Sequence, residues 1–279
     1  MIYKYNENLF EEIDTQESAY WLGFLYADGC VYENGKNMAL EISLARKDEE
    51  HLVKFLKFID GDIRIRRKAV VCDEKECEVS RISVCSTKMC KDLIELGCTP
   101  RKSLTLKFPS EDIVPKKFIP DFIRGYFDGD GCISFFTNGN KLTSSLVSFI
   151  GTKDFLNGIY NNMVKAGIPV KYNVRKQGNA YEIRIYGRDK ITEIYNYFYK
   201  RENCVFLTRK KEKFEKYIDF IKENYPNFYG KNGVYYDKKH NSWKSSYIID
   251  GNKITKTFHT FEEAKKFRLD FELKNCPLV

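Results

Sequence analysis

A short apolar pattern occurs twice in this chain, and each copy ends in Asp-Gly. The first reads Trp21-Leu-Gly-Phe-Leu-Tyr-Ala-Asp-Gly29, the second Ile123-Arg-Gly-Tyr-Phe-Asp-Gly-Asp-Gly131. Both carry small residues four apart, Gly23 with Ala27 and Gly125 with Gly129. In a helix, residues four apart share a face. Glycine inside a helix costs about 1 kcal/mol relative to alanine, so its placement in both copies asks for a packing reason. Small residues let two backbones approach where larger side chains hold them apart. The pattern therefore predicts two helices packed against each other at the centre of the molecule. Asp14 followed by Glu17 offers a capping signal for the first helix. Gly29 and Gly131 are candidates for the left-handed position that closes a helix.

The repeat extends beyond the two short patterns. After Asp28 comes an alternating segment, residues 38–45, then Arg46-Lys47-Asp48 and an apolar-periodic helix from Leu52 to Phe58. After Asp130 comes Leu146-Val-Ser-Phe-Ile150, then Thr152-Lys153-Asp154 and a helix beginning near Phe155. A strand pair follows in each half, where Arg81-Ile-Ser-Val84 resembles Ile183-Arg-Ile-Tyr186. Val84 lies 56 residues beyond Asp28, and Tyr186 lies 56 beyond Asp130. Alternation of polar and apolar residues is the mark of half-buried antiparallel strands. The expected fold class is α+β, with two similar halves, residues 1–110 and 111–222, joined across the proline-punctuated stretch Ser110–Pro120.

Residues 223–279 form an appendix. Three short strands are expected at Gly233–Lys238, Trp243–Ile249 and Ile254–Phe258, with Asp250-Gly251 as a tight-hairpin signal. Thr260 with Glu263 makes a capping box for a helix through about Leu273. So small a unit has little core of its own, and Trp243 and Phe258 are its expected centre.

The formal charge is +8 and unevenly spread. Residues 1–110 hold 17 Lys+Arg against 19 Asp+Glu, residues 111–222 hold 20 against 13, and residues 223–279 hold 10 against 7. An excess confined to the last two segments favours an anionic partner, nucleic acid first. No run is long enough to cross a bilayer, and the N-terminus lacks the basic-then-apolar order of a signal peptide. The expected setting is the cytoplasm or nucleoid, with organellar or viral origin left open. Nine cysteines without an export signal read as reduced thiols rather than a disulfide framework.

Matched helices should stop at the same height, which brings Asp28 and Asp130 together at two adjacent C-terminal ends. The helix dipole is negative there, and two carboxylates repel. Divalent cations and a polyanion rationalise the placement, because Mg²⁺ prefers hard oxygen ligands from protein, phosphate and water. Metal-activated water, with the leaving oxygen neutralised, is the chemistry of phosphodiester hydrolysis. One Asp-Gly commonly just terminates a helix by bonding its own backbone. Two in matched context are not so easily dismissed.

The two patterns resemble the signature of LAGLIDADG homing endonucleases, in the single-chain form that carries both halves in one polypeptide; the resemblance covers about residues 14–215. It implies pseudo-symmetric halves joined through the signature helices, each with a four-stranded antiparallel sheet, the two sheets forming a saddle over double-stranded DNA. It implies that Asp28 and Asp130 bind Mg²⁺ (or Mn²⁺) at the scissile phosphates, and that cleavage leaves short 3′ overhangs. Basic and polar groups around the metals would be Lys102 and either Lys210 or Lys211, with Arg46 and Thr152 at the variable water-organising position. The cluster Arg209–Lys213 is equally suited to holding phosphates. The chain departs from the signature at Trp21, Leu22, Tyr26, Ile123, Arg124 and Gly129. Tyr26 stands where an acid is usual, whereas the second copy keeps Asp128. Arg124 must find a partner or reach the edge of the helix interface.

Base reading would fall to strand residues: Arg64, Arg66, Arg67, Lys68 and Arg81 in the first half, Lys171, Arg175, Lys176 and Arg184 in the second. Arg64 and Arg66 would share a face of a regular strand, with Arg67 pointing elsewhere. The appendix resembles an AP2-type DNA-binding domain in Gly233-Val, Trp243 and Phe261-Glu-Glu-Ala264. That resemblance implies a three-stranded sheet laid in the major groove with a helix behind it, and Lys238, Lys244, Lys253 and Lys256 as phosphate contacts. Tyr235 stands where an arginine is usual, which weakens base reading more than DNA contact.

Cys72-x₄-Cys77 and Cys85-x₄-Cys90 lack the CxxC knuckle of structural zinc, and His51, His240 and His259 are scattered. The expectation is a monomeric nuclease with a long asymmetric duplex target. The alternative keeps the fold without the cutting: a group I intron maturase bound to intron RNA, or an inactive DNA-binding regulator. Neither chain end shows the residues of a self-splicing insertion.

Overall fold

The computed structural model describes residues 3–72, 75–168, 170, 174–225, 234–237, 239–249 and 252–274. Two helices form its centre, α1 (Gln16–Asp28) and α4 (Ile119–Asp130), packed along their lengths. Nine consecutive residues of α1, Ser18 to Tyr26, are buried, so the helix has no solvent face. A Cβ on Gly23 would stand 2.0 Å from the Phe122 carbonyl oxygen, and one on Gly125 would stand 1.9 Å from that of Tyr20. One on Gly129 would meet the Ala27 methyl at 2.3 Å. At Gly23 and Gly125 only backbone fits between the helices.

Each central helix runs directly into a strand. The first half continues as β1 (Gly29–Asn34), β2 (Asn37–Ala45), α2 (Glu49–Phe58), β3 (Arg66–Cys72), β4 (Lys75–Val84) and α3 (Thr87–Glu95). The second continues as β5 (Gly131–Asn138), β6 (Lys141–Gly151), α5 (Lys153–Lys165), β7 (Val174–Gln177), β8 (Ala180–Tyr186), α6 (Arg188–Tyr199) and α7 (Thr208–Asn224). The antiparallel sheets have the same strand order, β1-β2-β4-β3 and β5-β6-β8-β7. A third sheet, β11-β10-β9, comprises β9 (Val234–Asp237), β10 (Ser242–Ile249) and β11 (Asn252–Phe258), with α8 (Phe261–Lys274) on one face. The capping box of α8 forms as expected: Glu263 N–H donates to the Thr260 hydroxyl and Thr260 N–H to the Glu263 carboxylate. Trp243 packs on Phe261 and Phe258 on Phe267, and Ala264 is fully buried beneath the sheet. The hairpin signal at residues 250–251 lies outside the described residues.

Three local expectations are corrected. The cap of α1 is Thr15 with Ser18, not Asp14 with Glu17; Ser18 N–H donates to the Thr15 hydroxyl and Thr15 N–H to that of Ser18. Gly29 and Gly131 are extended (φ −75° and −91°) rather than left-handed. Their requirement is space, since a Cβ would stand 2.7 Å from the Leu25 carbonyl oxygen at Gly29 and 2.2 Å from the Phe127 ring at Gly131. The equal offsets of Val84 and Tyr186 are a coincidence of loop lengths. Val84 pairs with Leu40 and faces the core, whereas Tyr186 pairs with Leu146 and is 49% exposed. The inward-facing counterpart of Val84 is Ile185, paired with Val147.

Gly125→Ala should destabilise the protein by about 3 kcal/mol, because a methyl overlapping a carbonyl on the other helix forces the central pair apart. Urea unfolding measures it. A loss below about 0.5 kcal/mol would mean that the helices do not need this close approach.

Candidate active site

Because α1 and α4 are locked side by side, their last residues, Asp28 and Asp130, come to lie together. Gly129 shows how close: a Cβ there would be 3.1 Å from Asp28 Oδ2. Burial, and then the Asp130 charge, push the Asp28 carboxyl up from 3.8 to about 6. Asp130 is also raised, by burial. Lys210 and Lys102 oppose both shifts, and the nearby Tyr126 hydroxyl, which donates to the Ile150 carbonyl at 2.6 Å, opposes that of Asp130.

The two lysines are placed alike. Lys210, on the first turn of α7, donates to the carbonyls of Phe127 and Asp128 at 2.6 Å each and of Gly129 at 3.0 Å. It thus neutralises the negative end of α4. Burial lowers it to about 8, but with three carbonyls as acceptors it acts as a fixed positive charge. Lys102, in the short turn Lys102–Leu104, donates to the Gly29 carbonyl just past Asp28. Both side chains are buried.

The segments carrying these lysines are tied down from equivalent positions of the central helices. Tyr26, two residues before Asp28, donates to the Leu96 carbonyl, and Gly97 packs against its hydroxyl. Asp128, two residues before Asp130, accepts from the Leu207 N–H at 2.7 Å, three residues before Lys210. Tyrosine offers a donor to a carbonyl where aspartate offers an acceptor to an amide, so the departure at Tyr26 keeps the tether with its polarity reversed. Asp128 also accepts from the Tyr20 hydroxyl at 2.6 Å, which lies 3.0 Å from His51 Nε2. Burial pushes His51 down to about 3, so the imidazole is neutral. Arg124 finds its partner in buried Asp121, 2.9 Å away, and donates to the carbonyls of Phe198 and Val205.

Other expected site residues are engaged elsewhere. Lys211 packs on the Phe206 ring at 4.0 Å and pairs with Glu215, away from the carboxylates. Arg209 is held by Asp48 of the first half at 2.8 Å, so it is not a free phosphate contact. Arg46 pairs with Glu49. Thr152 caps α5, accepting from Phe155 N–H and donating to the Leu106 carbonyl. By strand register the counterpart of Thr152 is Ala45 rather than Arg46, because Ile42 and Phe149 both pair with the glycines that open β1 and β5.

The expected base-reading residues divide by sheet face. Strand pairing puts Arg66, Lys68 and Arg81 on the open face of the first sheet, with Arg81 3.1 Å from Glu41. Arg64 is exposed but precedes β3, so it shares no strand face with Arg66. Arg67 turns to the helix side and holds Glu49 at 2.8 Å, which lowers that carboxyl to about 2. In the second sheet Arg175 and Arg184 share the open face and converge on buried Glu182, whereas Lys176 pairs with Tyr181 on the helix side. Lys171 and Lys238 lie outside the described residues, as does the side chain of Lys253. Lys244 is held by Asp237 at 2.5 Å, and Lys256 lies over the Phe267 ring on the helix side of its sheet. Cys77, Cys85 and Cys90 are free thiols, and among the described residues no cluster of three or more His, Cys, Asp or Glu forms a metal cage.

Residues 118–198 match the family model of the LAGLIDADG-like domain. The structure superposes with TM-score 0.52 on the homing endonuclease I-WcaI bound to its DNA recognition sequence, at 12% identity, covering 75% of this chain and 87% of that one. A mutant of I-SmaMI gives 0.50 at 13% identity, with 75% and 92% covered. The fold is that of the LAGLIDADG meganucleases. The chain is also 26% identical over 212 residues to a probable translation initiation factor IF-2 of Methanocaldococcus jannaschii, a match spanning 71% of this chain and 16% of that much longer protein.

The tethering roles of Tyr26 and Asp128 were not visible in the motif, where the two stood only as a departure and a kept acid. Both sit inside the repeated pattern, and the difference between the copies was the available signal: Phe24 and Tyr26 in one, Tyr126 and Asp128 in the other.

A raised carboxyl pKa makes the folded state bind its proton more tightly. The stability contribution of Asp28 therefore falls as pH rises from about 4 to about 6 and stays low above that. With chelator present, Asp28→Asn should exceed the parent in stability by about 1–2 kcal/mol above pH 6, reduced from the full shift for partial solvent screening. The gap should close below about pH 4. Urea titrations across pH measure this, and a gap that stays constant with pH would refute the linkage.

Proposed function

We propose that this chain is a site-specific endonuclease that hydrolyses phosphodiesters in double-stranded DNA and leaves short 3′ overhangs. The observation that carries the reading is the pairing of Asp28 with Asp130 at the joined ends of two glycine-packed helices, each flanked by a buried lysine. Carboxylates held this close, both raised by burial and Asp28 further by the Asp130 charge, form a donor set of hard oxygens whose charge a divalent cation would offset. Asp28 and Asp130 would hold Mg²⁺ or Mn²⁺, which when bound supplies a more acidic water and charge neutralisation at phosphate oxygens.

The chain's own groups do the rest. Lys102 and Lys210 keep fixed positive charge beside the carboxylates, where negative charge builds as phosphate is attacked. Tyr26 and Asp128 hold the lysine-bearing segments in place. The open faces of the two sheets would lie along the duplex, with Arg66, Lys68 and Arg81 in one half and Arg175 and Arg184 in the other. The third sheet would act as an AP2-like DNA-binding module presenting Tyr235, Lys244 and Thr257, which share the face away from α8. A monomer suffices, since one chain carries both halves.

Asp28→Asn and Asp130→Asn should each reduce double-strand cleavage by at least about 10³-fold with Mg²⁺, while duplex affinity stays within about threefold. Cleaved sites selected from a random duplex library supply the substrate. Binding by the parent chain without cleavage would favour an inactive regulator, and loss of binding in both variants would make the aspartates structural.

A further inference from the structure

The open faces of the two sheets are chemically unlike. Matching residues by their pairing with the opening glycines, Ser43, Arg81 and Arg66 of the first sheet correspond to Ile150, Glu182 and Arg175 of the second. Farther from the carboxylates, the second sheet presents Leu146 paired with Tyr186, and Phe136 on the next row of the same face. Phe136 is 65% exposed, Tyr186 49% and Ile150 38%. Phe136 and Tyr186 stand exposed, although their strand neighbours Phe135 and Ile185 are packed into the core. Large apolar groups exposed together on one face mark an interaction site.

Two observations identify the occupant. The same face carries Arg175 and Arg184, two guanidinium groups that share the single carboxylate of Glu182 and so leave a net positive charge facing a polyanion. The face is also continuous with the site, because β5 begins one residue after Asp130. In the major groove the apolar feature of a base edge is the thymine 5-methyl group, which is absent from cytosine, from purines and from RNA.

We infer that the second sheet reads its half of the duplex through thymine methyl groups, packed against Phe136, Leu146 and Tyr186, while the first sheet reads through hydrogen bonds from Arg66, Lys68 and Arg81. This deepens the endonuclease reading and rests on it. It also favours duplex DNA over intron RNA, whose uracils lack the methyl.

The test replaces thymine by deoxyuridine, which deletes the methyl and keeps every hydrogen-bonding group. Selected target duplexes are prepared with deoxyuridine throughout one half-site or the other, and binding is measured with the full-length chain. In one half-site each replaced thymine that is contacted should weaken binding about fourfold, the value of burying one methyl; the other half-site should change little. Phe136→Ser with Tyr186→Ser should make the protein indifferent to the replacement, which identifies the sensitive half-site as that of the second sheet. Thermal unfolding verifies that the double variant is folded. Specific binding indifferent to deoxyuridine in both half-sites would overturn the inference and leave the endonuclease reading standing. Absence of any sequence-specific duplex binding would overturn both. Unchanged deoxyuridine discrimination in the double variant would show that this cluster does not read the methyl and would overturn the inference.

Discussion

Everything in this molecule depends on two carbonyl oxygens lying where side chains would otherwise be. The Tyr20 carbonyl occupies the space of a Cβ at Gly125, and the Phe122 carbonyl that of a Cβ at Gly23. A contact made of backbone has no rotamers to adjust, so the separation and height of the two helices are fixed by the fold itself. The ends of both helices, and hence Asp28 and Asp130, inherit that precision. The third contact is unequal, Ala27 against Gly129. A single chain can put the methyl on one side and the hydrogen on the other, which two identical subunits cannot do.

The same geometry carries an electrostatic cost. Two half-buried carboxylates share the negative ends of two helices, and burial raises both. The compensation comes from outside the helices, from lysines brought in on later segments of each half. Those segments are secured by the residue two before each site aspartate, Tyr26 to a carbonyl and Asp128 to an amide. A position in the repeated pattern that looked like a lost acid is therefore a preserved tether with the opposite hydrogen-bond polarity. The tether also explains why Asp128 tolerates complete burial: Tyr20 and the Leu207 amide satisfy one of its oxygens, and Lys210 supplies nearby charge.

What was legible in the sequence was local or repeated. Helix period, small-residue spacing and the doubled Asp-Gly identify the central pair, and alternation identifies the strands. Which of Lys210 and Lys211 enters the site was not legible, because it depends on the rotation of α7, set by Phe214, Tyr217 and Ile218 packing inward. Strand facing was legible only within a strand. The equal offsets of Val84 and Tyr186 suggested a register that is wrong by one residue, and one residue reverses a side chain to the other face. Arg209 was misread for a related reason: its partner Asp48 is distant in the chain, so sequence pattern gave no sign of the ion pair.

The corrected register separates what the halves share from what they do not. Inward positions match in kind: Leu40 with Val147, Ile42 with Phe149, Ile82 with Ile183 and Val84 with Ile185 are all buried and apolar. Outward positions differ in chemistry: Glu41 faces Ser148, Ser83 faces Arg184, and Arg81 faces Glu182 across the pseudo-symmetry. Each inner face packs on the matching helices of its own half, α1 and α2 in the first and α4 and α5 in the second, so their volumes are constrained alike. The outer faces touch nothing that imposes symmetry. Two sheets held rigidly alike by their cores can thus present unlike surfaces, and on the reading proposed here a duplex bound across both would have to be asymmetric in its bases while remaining symmetric in its backbone.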